Sequence, residues 1–164
     1  MAGANFVAVK LEGAGELLRQ LREADGNVKK SLRAASKAGG EVIKADALRR
    51  APPTRYKKLL AMKASFPKRE VCEVTLRPSK RAWRLRFIEL GATSHEIKGS
   101  PLAFEGESGL VITGRVHHPG MAARPFIRPA FDSQQKAAEE RMGEVLRQAV
   151  VEAKIAQAAA DDED

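Results

Sequence analysis

The stretch Val71-Cys72-Glu73-Val74-Thr75-Leu76-Arg77 decides the fold class. Cys72, Val74 and Leu76 alternate with Val71, Glu73, Thr75 and Arg77. A period of two marks a strand with one apolar face and one solvated face. Pro78-Ser79-Lys80 follows as a turn, after which Trp83, Leu85 and Phe87 alternate with Arg84, Arg86 and Ile88. The two runs predict an antiparallel hairpin that carries Trp83 and Phe87 into the core and leaves an arginine-rich face outside.

Upstream of this hairpin the period changes to that of helices. Asn27 is placed to cap a helix on which Val28, Leu32, Ala35, Val42 and Ala45 share a face. Gly39-Gly40 in its middle costs up to ~1 kcal/mol per glycine relative to alanine, so the pair marks either a close helix crossing or a local break. Pro52-Pro53 ends the helix, because a residue before proline is pushed out of the α region. A shorter helix precedes it, with Leu17, Leu18, Leu21 and Ala24 at helical spacing, and Phe6 to Leu11 predicts a first strand. Thr54 to Lys68 is weakly patterned and very basic, and predicts a loop with a helical turn around Lys57 to Lys63.

Downstream, Leu102-Ala103-Phe104 and Leu110-Val111-Ile112 flank Glu105-Gly106-Glu107-Ser108-Gly109, a second hairpin with a long tip. Arg124 to Arg128 is extended, since both arginines precede prolines, and Pro129 suits the first position of a last helix. In that helix Ala138, Met142, Val145, Ala149, Ala153 and Ala156 form a stripe, widened by Leu146. Asp161 to Asp164 is an acidic tail. The whole predicts one α+β domain over residues 1–157 and a flexible tail over 158–164. In it a small antiparallel or mixed sheet packs against two N-terminal helices and one long C-terminal helix, and a hairpin projects.

Composition sets the outer bounds. With 164 residues, 43% of them hydrophobic and 30% charged, the chain suits a single soluble core. No apolar run reaches the ~18 residues of a membrane span, and Met1 to Lys10 lacks the features of a signal peptide. The lone Cys72 excludes an internal disulfide and any zinc site built on two thiolates, which predicts a protein made in a reducing cytoplasm. Charge is uneven. Lys44 to Arg86 holds 14 Lys/Arg against three acids, a net of +11, whereas Asp132 to Asp164 holds four against nine, a net of −5. The basic stretch suits nucleic acid, an acidic protein surface or a solvated face, and the two signs together suit copies meeting basic face to acidic face in a ring.

Enzymatic constellations are absent from the sequence. His117 and His118 are adjacent on a strand and point to opposite faces, so they make a poor metal pair. Cys72 falls on an apolar strand face, where a thiol acts as a small hydrophobe. Ser94-His95-Glu96 is too local to form a triad, whose members converge from separate elements. No metal, cofactor or catalytic residue is expected. With eight aromatic residues and no helix-turn-helix or zinc-finger spacing, nucleic acid would be met only through sequence-blind phosphate contacts.

Arg49-Arg50-Ala51-Pro52, Phe87-Ile88-Glu89-Leu90-Gly91-Ala92-Thr93, His118-Pro119-Gly120 and Ala123-Arg124-Pro125-Phe126-Ile127-Arg128-Pro129-Ala130 follow one another along the chain. This succession resembles the tail-completion, or tail-terminator, family of long-tailed bacteriophages, the gene-ten-like head–tail joining proteins. The resemblance spans roughly Val9 to Glu152, and Leu102 to Gly120 looks like the hairpin insert of that family. One departure is Pro53-Thr54-Arg55-Tyr56-Lys57-Lys58-Leu59-Leu60, which replaces the family's aspartate-threonine-glycine turn.

The resemblance implies a virion protein of the neck, made in the host cytoplasm, that forms a hexameric ring and caps the tail tube. Its partners would be tube protein, connector or head-closure proteins, and double-stranded DNA crossing the lumen, with no membrane. A head-closure stopper and a small DNA-binding protein are the competing expectations. Candidate subunit-interface residues are Leu102, Phe104, Glu105, Glu107, Val111, Arg115, Arg124 and Arg128. Arg55, Lys57, Lys58, Lys63, Arg84 and Arg86 are expected on one basic surface, facing DNA or the acidic last helix of a neighbour. Phe126 and Phe131 are expected in the core.

Overall fold

A computed structural model describes residues 14–24, 26–52, 60–68, 71–107 and 109–162. The architecture is mixed α+β, as expected, and it falls into two compact units. Met1–Trp83 with Phe126–Asp164 make the first and Arg84–Pro125 the second. The predicted first strand at Phe6 to Leu11 lies outside the described residues.

The first unit is organised around one long helix. Helix α1 (Gly15–Glu23) leads to α2 (Val28–Arg50). The Asn27 side chain accepts a hydrogen bond from the Lys30 amide at 3.0 Å, satisfying one orphan donor of the first turn. Ala51, extended before Pro52, ends the helix as its sequence requires. The buried stripe of α2 passes through Leu32, Ala35, Gly39, Ile43 and Ala47; Val42 is half-buried and Ala45 exposed, so these two do not share its deepest face.

Gly39 and Gly40 do not break α2. They let two layers approach it. A side chain at Gly39 would lie 2.6 Å from Met142 Cγ and 3.0 Å from the Ala138 carbonyl, whereas one at Gly40 would meet Met62 Sδ at 2.6 Å and Val74 Cγ1 at 2.9 Å. The first neighbours belong to α4 (Ile127–Asp161), the second to a hairpin of β1 (Leu60–Lys68) and β2 (Val71–Pro78). Strand β2 keeps the face assigned from its alternation, with Cys72, Val74 and Leu76 buried.

Its partner differs from expectation. β2 pairs with β1, in a region read as a loop, and not with Trp83 to Ile88. Ala, Met, Lys and Ser are weak strand formers, so β1 is strand through cross-strand pairing and through Met62 beneath Gly40, not through local propensity. The Lys57 to Leu59 part of the expected helical turn lies outside the described residues. Trp83 is not in the core; it is 51% exposed. The expected sheet is thus two separate two-stranded antiparallel sheets.

Helix α4 begins at Ile127, two residues before Pro129, which occupies the first turn where its missing amide proton leaves no bond unmade. Phe126 is buried as expected and Phe131 half-buried. Ala138, Met142, Leu146 and Val150 are buried along α4, Val145, Ala149 and Ala153 half-buried, and Ala156 exposed. The helix runs on through Ala158 to Asp161, into the segment expected to be a flexible tail.

One buried carboxylate ties α2 to α4. Asp46 is 3% exposed. It accepts hydrogen bonds from the Arg49 guanidinium, from Arg50 Nε at 2.5 Å and from Ser133 Oγ at 3.1 Å. The arginine contacts, Arg49 first, hold its carboxyl down to about 2, against an opposing push from burial. Because the folded state prefers the charged form, this contribution is complete above the ordinary carboxylate range near 4 and fades as pH falls through about 2. Asp46→Asn should therefore lower the thermal midpoint at pH 7 and leave it nearly unchanged near pH 2. Melting curves of both chains across that interval check this.

Candidate functional site

The second unit is a scaffold for one long hairpin. Leu85–Leu90 forms a short helix, α3, where a strand was expected from the alternating Trp83 to Ile88. Its buried residues are Leu85 and Glu89, four apart, a helical spacing that the six-residue run hid beneath an equally good period of two. Phe87 is exposed on this helix and not on a core face. Gly91 ends α3 with a φ of 73°. There Ala92 and Met121 exchange backbone hydrogen bonds of 2.9 and 2.8 Å, and Arg124 donates its amide to the Ile88 carbonyl at 2.7 Å. A side chain at Gly91 would press to 2.7 Å of the Met121 carbonyl and one at Gly120 to 2.6 Å of the Ala92 carbonyl, so both positions require glycine.

From this clasp rises β3 (His95–Gly106), which returns as β4 (Gly109–His118). The hairpin is longer than expected. Its pairing runs to Gly106 opposite Gly109, so its tip is tight. The register is interrupted between Lys98 and Leu102, which includes the cis Ser100-Pro101 bond. At ~3.4 Å per residue, the ten residues of β4 extend about 30 Å.

The register assigns the faces. Leu102 and Phe104 stand opposite Thr113 and Val111 on one face; Ala103 and Glu105 stand opposite Ile112 and Leu110 on the other. Phe104 and Val111 are 41% and 38% exposed, and Leu110 and Ile112 are 70% and 65% exposed. Both faces near the tip are therefore apolar and uncovered. Leu110 and Ile112 are not among the residues expected at an interface, although the unbroken Leu110-Val111-Ile112 run carries the signal, since three consecutive apolar residues on a strand supply both faces.

The other interface candidates are placed as follows. Glu105 and Glu107 are exposed at the tip, and Leu102 is half-buried. Arg115 lies 3.8 Å from Glu96, which also lies 3.9 Å from Lys98. Arg124 and Arg128 are exposed on either side of buried Phe126 and Ile127.

The basic candidates do not share one strand face. Lys63 is exposed on β1 in the first unit, and Arg84 and Arg86 are exposed in the second. Arg84 precedes α3 and Arg86 lies within it, about 200° further round the helix axis, so the expected arginine stripe diverges. Arg55, Lys57 and Lys58 lie outside the described residues.

Polar groups gather at the hairpin's base. The His95 and His118 rings stack with centroids 5.1 Å apart. His95 Nδ1 faces the Thr93 carbonyl at 2.9 Å, and His118 Nδ1 accepts from the Gly120 amide at 3.0 Å. Ser94 Oγ and His117 Nε2 are 3.2 Å apart and both residues are exposed. Glu96 is directed to Lys98 and Arg115, not to this serine–histidine pair. Among the described residues no group of three or more His, Cys, Asp or Glu side chains is arranged to hold a metal ion. Cys72 is buried. No helix among the described residues is long and apolar enough to cross a membrane. No protein family matches the chain, and no curated protein or solved structure matches it either.

Proposed function

We propose that the protein is a structural subunit of a long-tailed phage virion, assembling as a hexameric ring at the head–tail junction, where it ends the tail tube and joins it to the head connector. The observation that carries this reading is the hairpin with two apolar faces. An isolated two-stranded hairpin is marginal in water, and one with uncovered Phe104, Leu110, Val111 and Ile112 calls for a surface that covers both sides. A neighbouring subunit in a ring supplies that surface twice, since each copy gives an arm and receives one. The phage-like motif from Ala123 to Ala130 adds support, because it opens α4 with Phe126 and Ile127 anchored inside and Arg124 and Arg128 facing out. Shape and surface do the work, and no bond is made or broken.

Mixing the purified chain with tail-tube subunits tests the proposal. Tubes should stop at a defined length with the protein at one end, and native mass measurement should give a multiple of six copies. Tubes that grow unchecked beside the protein would end the reading, and binding to the connector alone would move it to the head-closure role.

A further inference from the structure

We propose that a basic hollow on the helical unit receives the acidic C-terminal end of a second copy of this chain. The hollow holds about 600 Å³ and lies where the end of α1, the first turns of α2 and the end of β1 meet. Val28, Leu32 and Phe66 give it an apolar lining, and Lys29 and Lys68 stand beside them. Lys29 Nζ lies 5.3 Å from the centre of the Phe66 ring, and the Arg33 guanidinium of the next turn lies 5.2 Å from it. No Asp or Glu lines the hollow among the described residues. Like charges gathered beside a low-dielectric lining repel one another, and a ligand bearing several carboxylates relieves that repulsion.

The chain carries a matching group. It ends Ala158-Ala159-Ala160-Asp161-Asp162-Glu163-Asp164, small methyl groups followed by four carboxylates. Every described residue from Lys154 to Asp162 is exposed, so the end of α4 is accessible to a neighbour. Methyl groups suit the lining and carboxylates suit the cations beside it.

The end of α4 lies beside Gly26, Lys30, Ser31 and Ala34, and Gly26 also lines the basic hollow, so a copy's own tail is the competing occupant. Tail into hollow is a head-to-tail contact, the kind that closes into a ring when the rotation between copies allows. It stands independently of the neck assignment.

Charge exchange tests it on the full-length chain. Lys29→Glu with Lys68→Glu reverses the hollow, and lysine at each of positions 161–164 reverses the tail. By sedimentation at low salt each variant alone should self-associate at least tenfold more weakly than the wild type, and an equimolar mixture of the two should recover the association. Circular dichroism confirms that both remain folded. A fluorescent peptide of residues 154–164 should bind the wild-type chain and be released as salt rises. Undiminished association of the hollow variant, or failure of the mixture to recover, overturns the proposal. So does a monomeric wild type that binds the peptide only after residues 161–164 are removed, which would put its own tail in the hollow. Duplex DNA binding that is lost with the hollow variant and kept with the tail variant would assign the hollow to nucleic acid and overturn it equally. Tube capping is scored separately, so that loss of capping with intact tail binding bears on the neck reading alone.

Discussion

Replacing Leu110 and Ile112 together by serine should leave a folded chain that no longer assembles. The two side chains share one face of the hairpin beside Glu105 and Ala103 and are about two-thirds exposed, so neither holds the isolated subunit together. Covering an aliphatic side chain of this size contributes roughly 1.5–3 kcal/mol when burial is complete. Burying the exposed part of both side chains at each contact is then worth roughly 2–4 kcal/mol, or about 30- to 10³-fold in the association constant. The proposed ring would repeat that loss at every interface. Sedimentation or native mass of the double variant should show monomers at concentrations where the wild type is assembled, with an unchanged circular dichroism spectrum. Wild-type assembly by this variant would remove the hairpin from the interface. Unfolding would instead make the hairpin a part of its own subunit's core.

The largest loss of stability is expected at Gly39→Val. A first carbon there already falls 2.6 Å from Met142 Cγ and 3.0 Å from a backbone oxygen of α4, and valine adds two methyl groups on a branched, stiff side chain. Met142 is buried and has little room to yield. The gain of up to ~1 kcal/mol from removing a glycine in mid-helix does not offset this, since overpacking a filled contact costs roughly 1–3 kcal/mol and here also separates two helices. A net loss of about 2 kcal/mol lowers the melting temperature of a chain this size by roughly 4–8 °C. Gly143→Ala is the matched control. Its new carbon would meet the movable end of Arg147 at 3.2 Å, so the melting temperature should hold or rise slightly.

The sequence was most legible where one pattern could be satisfied in only one way. β2 announced its buried face through Cys72, Val74 and Leu76, and α2 announced both its ends through Asn27 and Pro52. The double glycine at 39 and 40 left two possibilities, and only the positions of Met142, Met62 and Val74 decide between them. β1 escaped notice because its residues have little preference for a strand and owe that state to β2. α3 was read in the wrong period because six residues fit both periods, and the stop at Gly91 carries the distinction. The hairpin was legible as a hairpin, but its uncovered two-sided tip needed the register, which sets Phe104 against Val111 and Ala103 against Ile112. Asp46 went unnoticed because its partners lie a turn away on α2 and 87 residues on at Ser133.

The clasp at Ala92 and Met121 also bears on how such a chain tolerates insertion and deletion. Because the strands of the arm leave and return through one pair of backbone hydrogen bonds flanked by Gly91 and Gly120, the insert between them behaves as a cassette. A change of length within that cassette leaves the pair of hydrogen bonds and both glycines where they are.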